Sequence, residues 1–316
     1  MRNLLFITML LGVGYSQCGS AESECDPDAE YGYNCDCNES TWSGHYPDME
    51  GCYLPCADLS VLDLGGADLS FANLEYAQLE GSLLYGLEDG STTNLAGANL
   101  TRANLAGVGA QFSNFEGANL QEANLWGINL YQANCQGANF TGAIIIPVGQ
   151  GSLDEANFED ANLTGAQMGH GLQFYNNTLY ARDSNFRNAN LQFANLGYTD
   201  FEGSDFTGAN FSYAHMVKAH LGQADLEGAC MENALMFYPE SFGMVNEPPT
   251  YHGEFLGTPI YEGCGINISE DTDGDGYDDV SYDAGAESVD VGDMNDDGTN
   301  NVLDVVLLIN DILLTP

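Results

Sequence analysis

The sequence predicts an all-β repeat architecture over most of its length, with two short ends of different character. Three observations predict it. A small residue, then Asp or Asn, then a large apolar residue recur every five positions from Ala57 onward. Six of the nine cysteines crowd into the segment before residue 57. The acids gather at the ends of the chain rather than along the repeat: ten lie in residues 20–60 and seventeen from Ser241 onward.

The first end carries an export address. Arg2 supplies a positive start, Leu4 to Val13 form a short apolar run, and small residues follow, which is the plan of a secretory signal. Cleavage is expected after Ser16, with Ala21 as a second candidate. Gln17 stands where a lipoprotein signal wants a small residue, which argues against Cys18 as a lipid attachment point. No other apolar run reaches the ~20 residues that span a membrane. Cys18, Cys25, Cys35, Cys37, Cys52 and Cys56 follow among turn-forming Gly, Pro, Asn and Asp. In an exported chain they read as a disulfide framework, with 15 connectivities open. Zinc is the competing reading, but His45 is the one histidine nearby.

The repeat itself is explicit in "ADLSVLDLGGADLSFANLEYAQLEG" and again in "ANLQEANLWGINLYQANCQGANFTGA". A period of five is neither helical nor a simple strand, so it marks a repeat architecture. Within a pentad the small and the large apolar residues are two apart. Both therefore point inward, and the polar residue between them points out. This pattern resembles the pentapeptide-repeat family over about residues 57–237. The resemblance implies a right-handed quadrilateral parallel β-helix, one pentad per side and 20 residues per coil. On that reading the axis is filled by Leu59, Leu64, Leu69 and their successors through Phe115, Phe158, Phe186 and Phe211 to Met236. About 31 pentads would make a rod roughly 35–40 Å long at the strand spacing. Cys135 falls at a central position, as a small apolar core residue. Cys230 falls at an outward one and is expected to pair with Cys264, leaving Cys135 as the odd thiol.

The phase slips near Tyr85–Thr92, Pro147–Asp154 and Gly169–Ser184. Insertions on a regular scaffold are where binding usually sits. The longest carries His170, Phe174, Tyr175 and Tyr180, and is expected to be a surface loop packing its own aromatics.

Lys+Arg 5 against Asp+Glu 47 gives a formal charge of −42. Such a chain repels nucleic acid and anionic lipid and attracts cations or basic proteins. The best-known proteins of the resembled family mimic DNA and inhibit type II topoisomerases through an acidic rod. Here residues 93–150 hold only Glu116 and Glu122 as acids, with Arg102 as a base. The outward positions Asn99, Asn104, Asn114, Asn119, Asn124, Asn129, Asn134 and Asn139 form an uncharged wall. Stacked Asn can hydrogen-bond along such a ladder, where stacked Asp would repel. That distribution and the export signal leave DNA mimicry as the alternative rather than the main reading.

The acids of the last segment fall into calcium patterns. Asp293, Asn295, Asp297, the carbonyl of Thr299, Asn301 and Asp304 occupy positions 1, 3, 5, 7, 9 and 12 of a twelve-residue loop, with Gly298 at the sharp turn. Asp at position 12 before an apolar helix resembles the dockerin type I unit. Upstream, Asp271, Asp273, Asp275, the carbonyl of Tyr277 and Asp279 form a second, weaker loop, because Tyr282 stands at position 12. The helix after the main loop is apolar on nearly every side and must be covered. Val302, Leu303, Val306 and Leu307 are therefore the docking candidates. The resemblance implies a cohesin-like or cell-surface protein partner, although Val302 and Leu303 depart from the hydroxyl-bearing pair usual at those positions.

No catalytic group stands out. His215 and His220 are one pentad apart, on adjacent faces, without an obvious Ser, Cys or paired carboxylate. Both are expected to be solvated wall residues. A polysaccharide-active β-helix, the second alternative, needs a basic groove, and only Arg102, Arg182, Arg187 and Lys218 remain beyond the signal. The reading is thus a signal peptide (1–16), a Cys-rich region (17–56), a pentad β-helix (57–237), a linker (238–264) and a calcium-binding module (265–316). The whole is expected to be an exported, non-enzymatic rod, secreted or at the cell surface, with calcium as its cofactor.

Overall fold

Alternation of inward, outward and inward side chains over three residues, followed by a two-residue turn, brings the chain back on itself after four pentads. A computed structural model describes residues 25, 33–86, 91–146, 152–169, 178–235 and 258–260. In it the outward residue of each pentad pairs in parallel with the one a coil later, as in Asn94 with Asn114 and Asn114 with Asn134. Four such columns run along the molecule. Face one carries Asp48, Asp68, Asn94, Asn114, Asn134, Asn157, Asn185, Asp205 and Asp225. Face two begins at Tyr53, face three at Asp58 and face four at Asp63.

Each rung is closed the same way. The Leu69 N–H donates to the Asn94 carbonyl at 2.7 Å, and the Asn94 N–H donates back to Ala67 at 2.9 Å. The turn is closed by the Ala72 N–H on the Leu69 carbonyl at 3.1 Å, with Phe71 at φ 57°. A left-handed residue at this turn position explains why Gly recurs there, as at Gly97 and Gly117. Elsewhere the sequence places Tyr, Phe, Glu or Arg in that conformation, at a strain of ~1 kcal/mol each. The repeated hydrogen bonds and the buried neighbours hold them there.

The core is a column of the predicted central residues. Leu59 through Met231 are buried wherever they fall among the described residues, with Met236 outside them. Burying each such side chain contributes on the order of 1.5–3 kcal/mol before the entropy of ordering is counted. Ala110 and Cys135 take central positions too, and both are fully buried. The later coils widen to take aromatics: the rings of Phe158 and Phe186 stack at 4.9 Å, and so do those of Phe186 and Phe206. At the inward small position Ser replaces Ala where its hydroxyl can reach a carbonyl. Ser113 donates to Ala110 at 2.6 Å and Ser204 to Ala181 at 2.6 Å.

The expected amide wall forms hydrogen-bonded ladders. On face one, the Nδ2 of Asn94 donates to Asp68 at 3.0 Å, that of Asn114 to Asn94 at 3.0 Å, and that of Asn134 to Asn114 at 3.0 Å. The ladder continues through Asn157 to Asn185. Every step donates toward the N-terminal coil. Asp68, at the start, needs only to accept, which a carboxylate can do; the internal steps need an amide.

Both margins of the rod differ from expectation. The ladder begins at Asp48, with Met49 and Leu54 already in the core, upstream of Ala57. β1 (Asn34–Asn38) pairs in parallel with β2 (Cys52–Tyr53), so the cysteine-rich region continues the stack of strands. Disulfides join Cys25 to Cys35 and Cys37 to Cys52, and Cys56 is also disulfide-bonded. Cys37 lies in the same core as Met49 and Leu54, so the bridge ties the cap to the first coil. At the other margin Ile260 pairs with Cys230, and the Met231 N–H donates to the Ile260 carbonyl at 2.7 Å. Part of the segment expected as linker therefore supplies another rung.

Candidate functional site

Faces one and two are regular, face three mixes amides with Ile144, His215 and Leu235, and face four departs furthest from the repeat. Face two keeps Asn from Asn73 through Asn210 without a break. Face four carries Asp63, Leu83, Gly109, Asn129, Ser152, Tyr180, Asp200 and His220 in turn. The insertions fall beside the same face. The coil is interrupted after Gly86, at the end of a face-four pentad, and before Ser152 and Tyr180, at the start of two others. Pairing offsets of 26, 23 and 28 residues in place of 20 locate them: Asp68 with Asn94, Asn134 with Asn157, and Asn157 with Asn185. The solenoid thus gathers three breaks, far apart in sequence, along the edges of one surface.

The N-terminal half of this face carries an apolar patch between Asp63 and Asn129. Leu83 and Phe112 are exposed at 40% and 45%, with Trp126 and Val61 at the neighbouring corner. Gly109 leaves a dent beneath Leu83, whose Cδ2 lies 3.5 Å from where a Cβ would stand. Phe112 meets Tyr131 edge to face at 5.6 Å. Tyr131 donates through its hydroxyl to Glu155 at 3.1 Å, which pushes its pKa upward.

The C-terminal half is polar and connected. Arg182 lies over the Tyr180 ring at 4.2 Å and its Nε donates to Asp200 Oδ2 at 2.9 Å. The other oxygen of Asp200 meets His220 Nδ1 at 2.9 Å. Glu202 stands beside them, exposed. The backbone N–H of Arg182 donates to Asp154 at 2.8 Å. The remaining cations of the rod are engaged elsewhere: Arg102 with Glu122 and Tyr76, Arg187 with Asp205, and Lys218 over the Tyr198 ring.

Several expectations change here. Tyr180 is a ladder residue paired with Ser152 and Asp200, not part of the insertion, because the coil resumes earlier than Ser184. His170, Phe174 and Tyr175 lie outside the described residues. His220 is partly exposed and hydrogen-bonded to Asp200, so only His215 departs strongly from a solvated wall residue. The ring of His215 covers Gly197, 3.3 Å from where a Cβ there would stand. Its Nδ1 is buried without a hydrogen-bond partner, and burial lowers its pKa. Cys230 occupies an outward column position yet is covered; it is disulfide-bonded and lies 3.0 Å from the Ser212 hydroxyl. The expected partner Cys264 lies outside the described residues. Cys135 is a free thiol, fully buried, with its pKa pushed up by desolvation.

The residues expected to bind calcium, Asp293, Asn295, Asp297, Thr299, Asn301 and Asp304, lie outside the described residues, as do Asp271, Asp273, Asp275, Tyr277 and Asp279. The docking candidates Val302, Leu303, Val306 and Leu307 lie outside them too. No helix among the described residues is long and apolar enough to cross a membrane.

A parallel four-sided stack of pentads, without an α-helix among the described residues, is a β-solenoid whose outward columns serve as surfaces. Residues 48–86, 91–121, 111–145 and 184–223 match the family model for pentapeptide repeats in 8 copies. Pentapeptide repeats fold as right-handed quadrilateral β-helices. Among solved structures the chain is similar to HetL, a pentapeptide repeat protein of Nostoc sp. Strain PCC 7120 involved in heterocyst differentiation regulation. That match has 25% identity and a TM-score of 0.25, covering 63% of this chain and 88% of the other. Rfr23 of Cyanothece 51142 is 28% identical, with a TM-score of 0.29, covering 36% and 82%. QnrB1, a plasmid-mediated fluoroquinolone resistance protein, is 18% identical, with a TM-score of 0.27, covering 67% and 82%. No curated protein matches the chain.

Proposed function

We propose that this protein is an exported, non-enzymatic binding rod that presents its fourth face to a partner. The observation that carries the reading is that face four combines a changing column with all three breaks in the coil, which face three, also mixed in residue type, does not. Its column changes residue type at nearly every coil and the three insertions border it, while face two keeps one amide column. A regular Asn ladder satisfies its own hydrogen bonds and offers little to recognise. Exposed Leu83, Phe112 and Trp126 leave apolar area for a partner to cover. The C-terminal segment would hold the rod in place. Its loop Asp293–Asp304 supplies the oxygen ligands calcium wants, and the apolar residues Val302, Leu303, Val306 and Leu307 supply a docking surface for a cohesin-like or cell-surface protein.

Two measurements on the full chain test the two halves. Calcium titration should show loss of a binding event in Asp293→Ala/Asp297→Ala; an unchanged isotherm overturns the calcium module. A pull-down from the cell-surface fraction in chelator, where calcium-dependent attachment is removed, should weaken with Phe112→Ala/Trp126→Ala and not with Asn119→Ala on face two. Equal capture by both variants overturns the assignment of face four.

DNA mimicry against a topoisomerase would require continuous acid along the rod. The amide ladders of faces one and two offer no such surface over residues 94–157.

A further inference from the structure

We propose that Asp200, Glu202 and His220 form a binding site for a divalent transition-metal ion of the zinc type. The proposal is independent of the partner reading above. One ligand atom from each of the three residues falls within 4.8 Å of the other two. The solenoid explains why. Asp200 and Glu202 are two apart on one rung, and His220 is the parallel partner of Asp200 on the next. Two rungs joined by backbone hydrogen bonds fix three donors at one spot on a rigid wall, as a metal site requires.

The donor set selects the class of ion. Two carboxylates and an imidazole suit zinc and its neighbours, whereas calcium and magnesium prefer oxygen alone. The surroundings already resemble the support such ligands need. Arg182 holds Asp200 Oδ2 at 2.9 Å, which orients the carboxylate and leaves Oδ1 toward His220. The His220 ring rests over Gly222, whose missing Cβ would stand 3.0 Å from its Cε1. The site is open on its outer side, with Glu202 exposed and the His220 side chain 41% exposed, so an ion can enter and water can complete its coordination. Metal binding would replace the present His220–Asp200 hydrogen bond by a shared ion between the same two atoms. Arg182 lowers the affinity by its charge, while the strongly negative chain raises it.

The test is titration of Zn²⁺ into the full chain, stripped with chelator and then held in excess Ca²⁺ to fill oxygen-only sites. Wild type should take up one more equivalent of Zn²⁺ than His220→Gln, and Zn²⁺ should raise the melting temperature of wild type more than that of the variant. Glu202→Gln, an exposed change that leaves the rung intact, should weaken the same event by about 10-fold or more. Should His220→Gln prove unstable without metal, Glu202→Gln decides alone. Equal stoichiometry and affinity in wild type and the folded variants overturn the site. A Zn²⁺ result of either sign leaves the face-four pull-down unaffected, so the two readings fail separately.

Discussion

Replacing Asn114 by Asp isolates what the amide ladder contributes. In the native rod Asn114 Nδ2 donates to Asn94 Oδ1 at 3.0 Å, while its own Oδ1 accepts from Asn134 Nδ2 at 3.0 Å and from the Glu116 N–H at 3.2 Å. A carboxylate keeps both acceptor roles and loses the donor. One lost hydrogen bond is worth about 1 kcal/mol, and setting an anionic oxygen against the unmoved Asn94 oxygen adds a comparable penalty. The variant should therefore be about 1–3 kcal/mol less stable than its parent near neutral pH. The pH dependence gives the sharper test. The introduced carboxyl has a raised pKa in the folded state, because its neutral form can donate to Asn94 and its charged form cannot. The deficit is then fully present above the folded pKa and closes as pH falls toward the unfolded value of ~3.9. Urea denaturation of both proteins at pH 7 and about pH 3.5 reads the difference directly. A deficit below about 0.5 kcal/mol at pH 7, or one that does not shrink in acid, would refute the ladder as a source of stability.

Three further outcomes follow from the packing of the coils. Gly97→Ala places a Cβ 2.6 Å from Phe71 Cε1 at φ +65°, so it should destabilise by more than Gly117→Ala, which has φ +62° and open space around it. Thermal melts should show the backbone part, ~1 kcal/mol, in both, and the excess in Gly97→Ala should vanish when Phe71→Ala is added. His215 is half-buried with its pKa lowered by desolvation, so its stabilising contribution holds above the unfolded value near 6.5 and is lost as pH falls through the folded pKa. Melting temperature against pH should fall less steeply below 6.5 in His215→Gln than in wild type; identical slopes would show that His215 does not bury on folding. Cys135 should resist a thiol reagent in the native protein and react on unfolding, and Cys135→Ser should destabilise by about 1–3 kcal/mol through a buried hydroxyl. Rapid labelling of the folded chain would contradict its place in the core.

Much of the fold was legible because its rules are local. The inward Ala and Leu and the outward Asn each depend on a spacing of two within one pentad, so Leu100 and Asn99 could be placed without knowing any other coil. The amide ladder was legible too, since any β-helix stacks equivalent positions. The margins were not. Met49 and Leu54 fill core positions, but Pro47 and Cys52 stand where the repeat wants Ala, and that hides the phase.

The sequence by itself determined the period, the central column, the neutral middle of the rod and the cysteine-rich start, because each is a property of neighbours along the chain. Only the tertiary structure decided which surface is special. The breaks after Gly86, Ile146 and Gly169 lie far apart in sequence, and they border one face, on its two edges, only once their insertion lengths are absorbed into a common coil. His215 is half-buried because Gly197, on the preceding coil, has no side chain to hold the ring away. Asp200 and His220 meet because parallel stacking turns twenty residues of separation into one strand spacing. Contacts between coils are set by the accumulated length of everything between them, and no local pattern carries that sum.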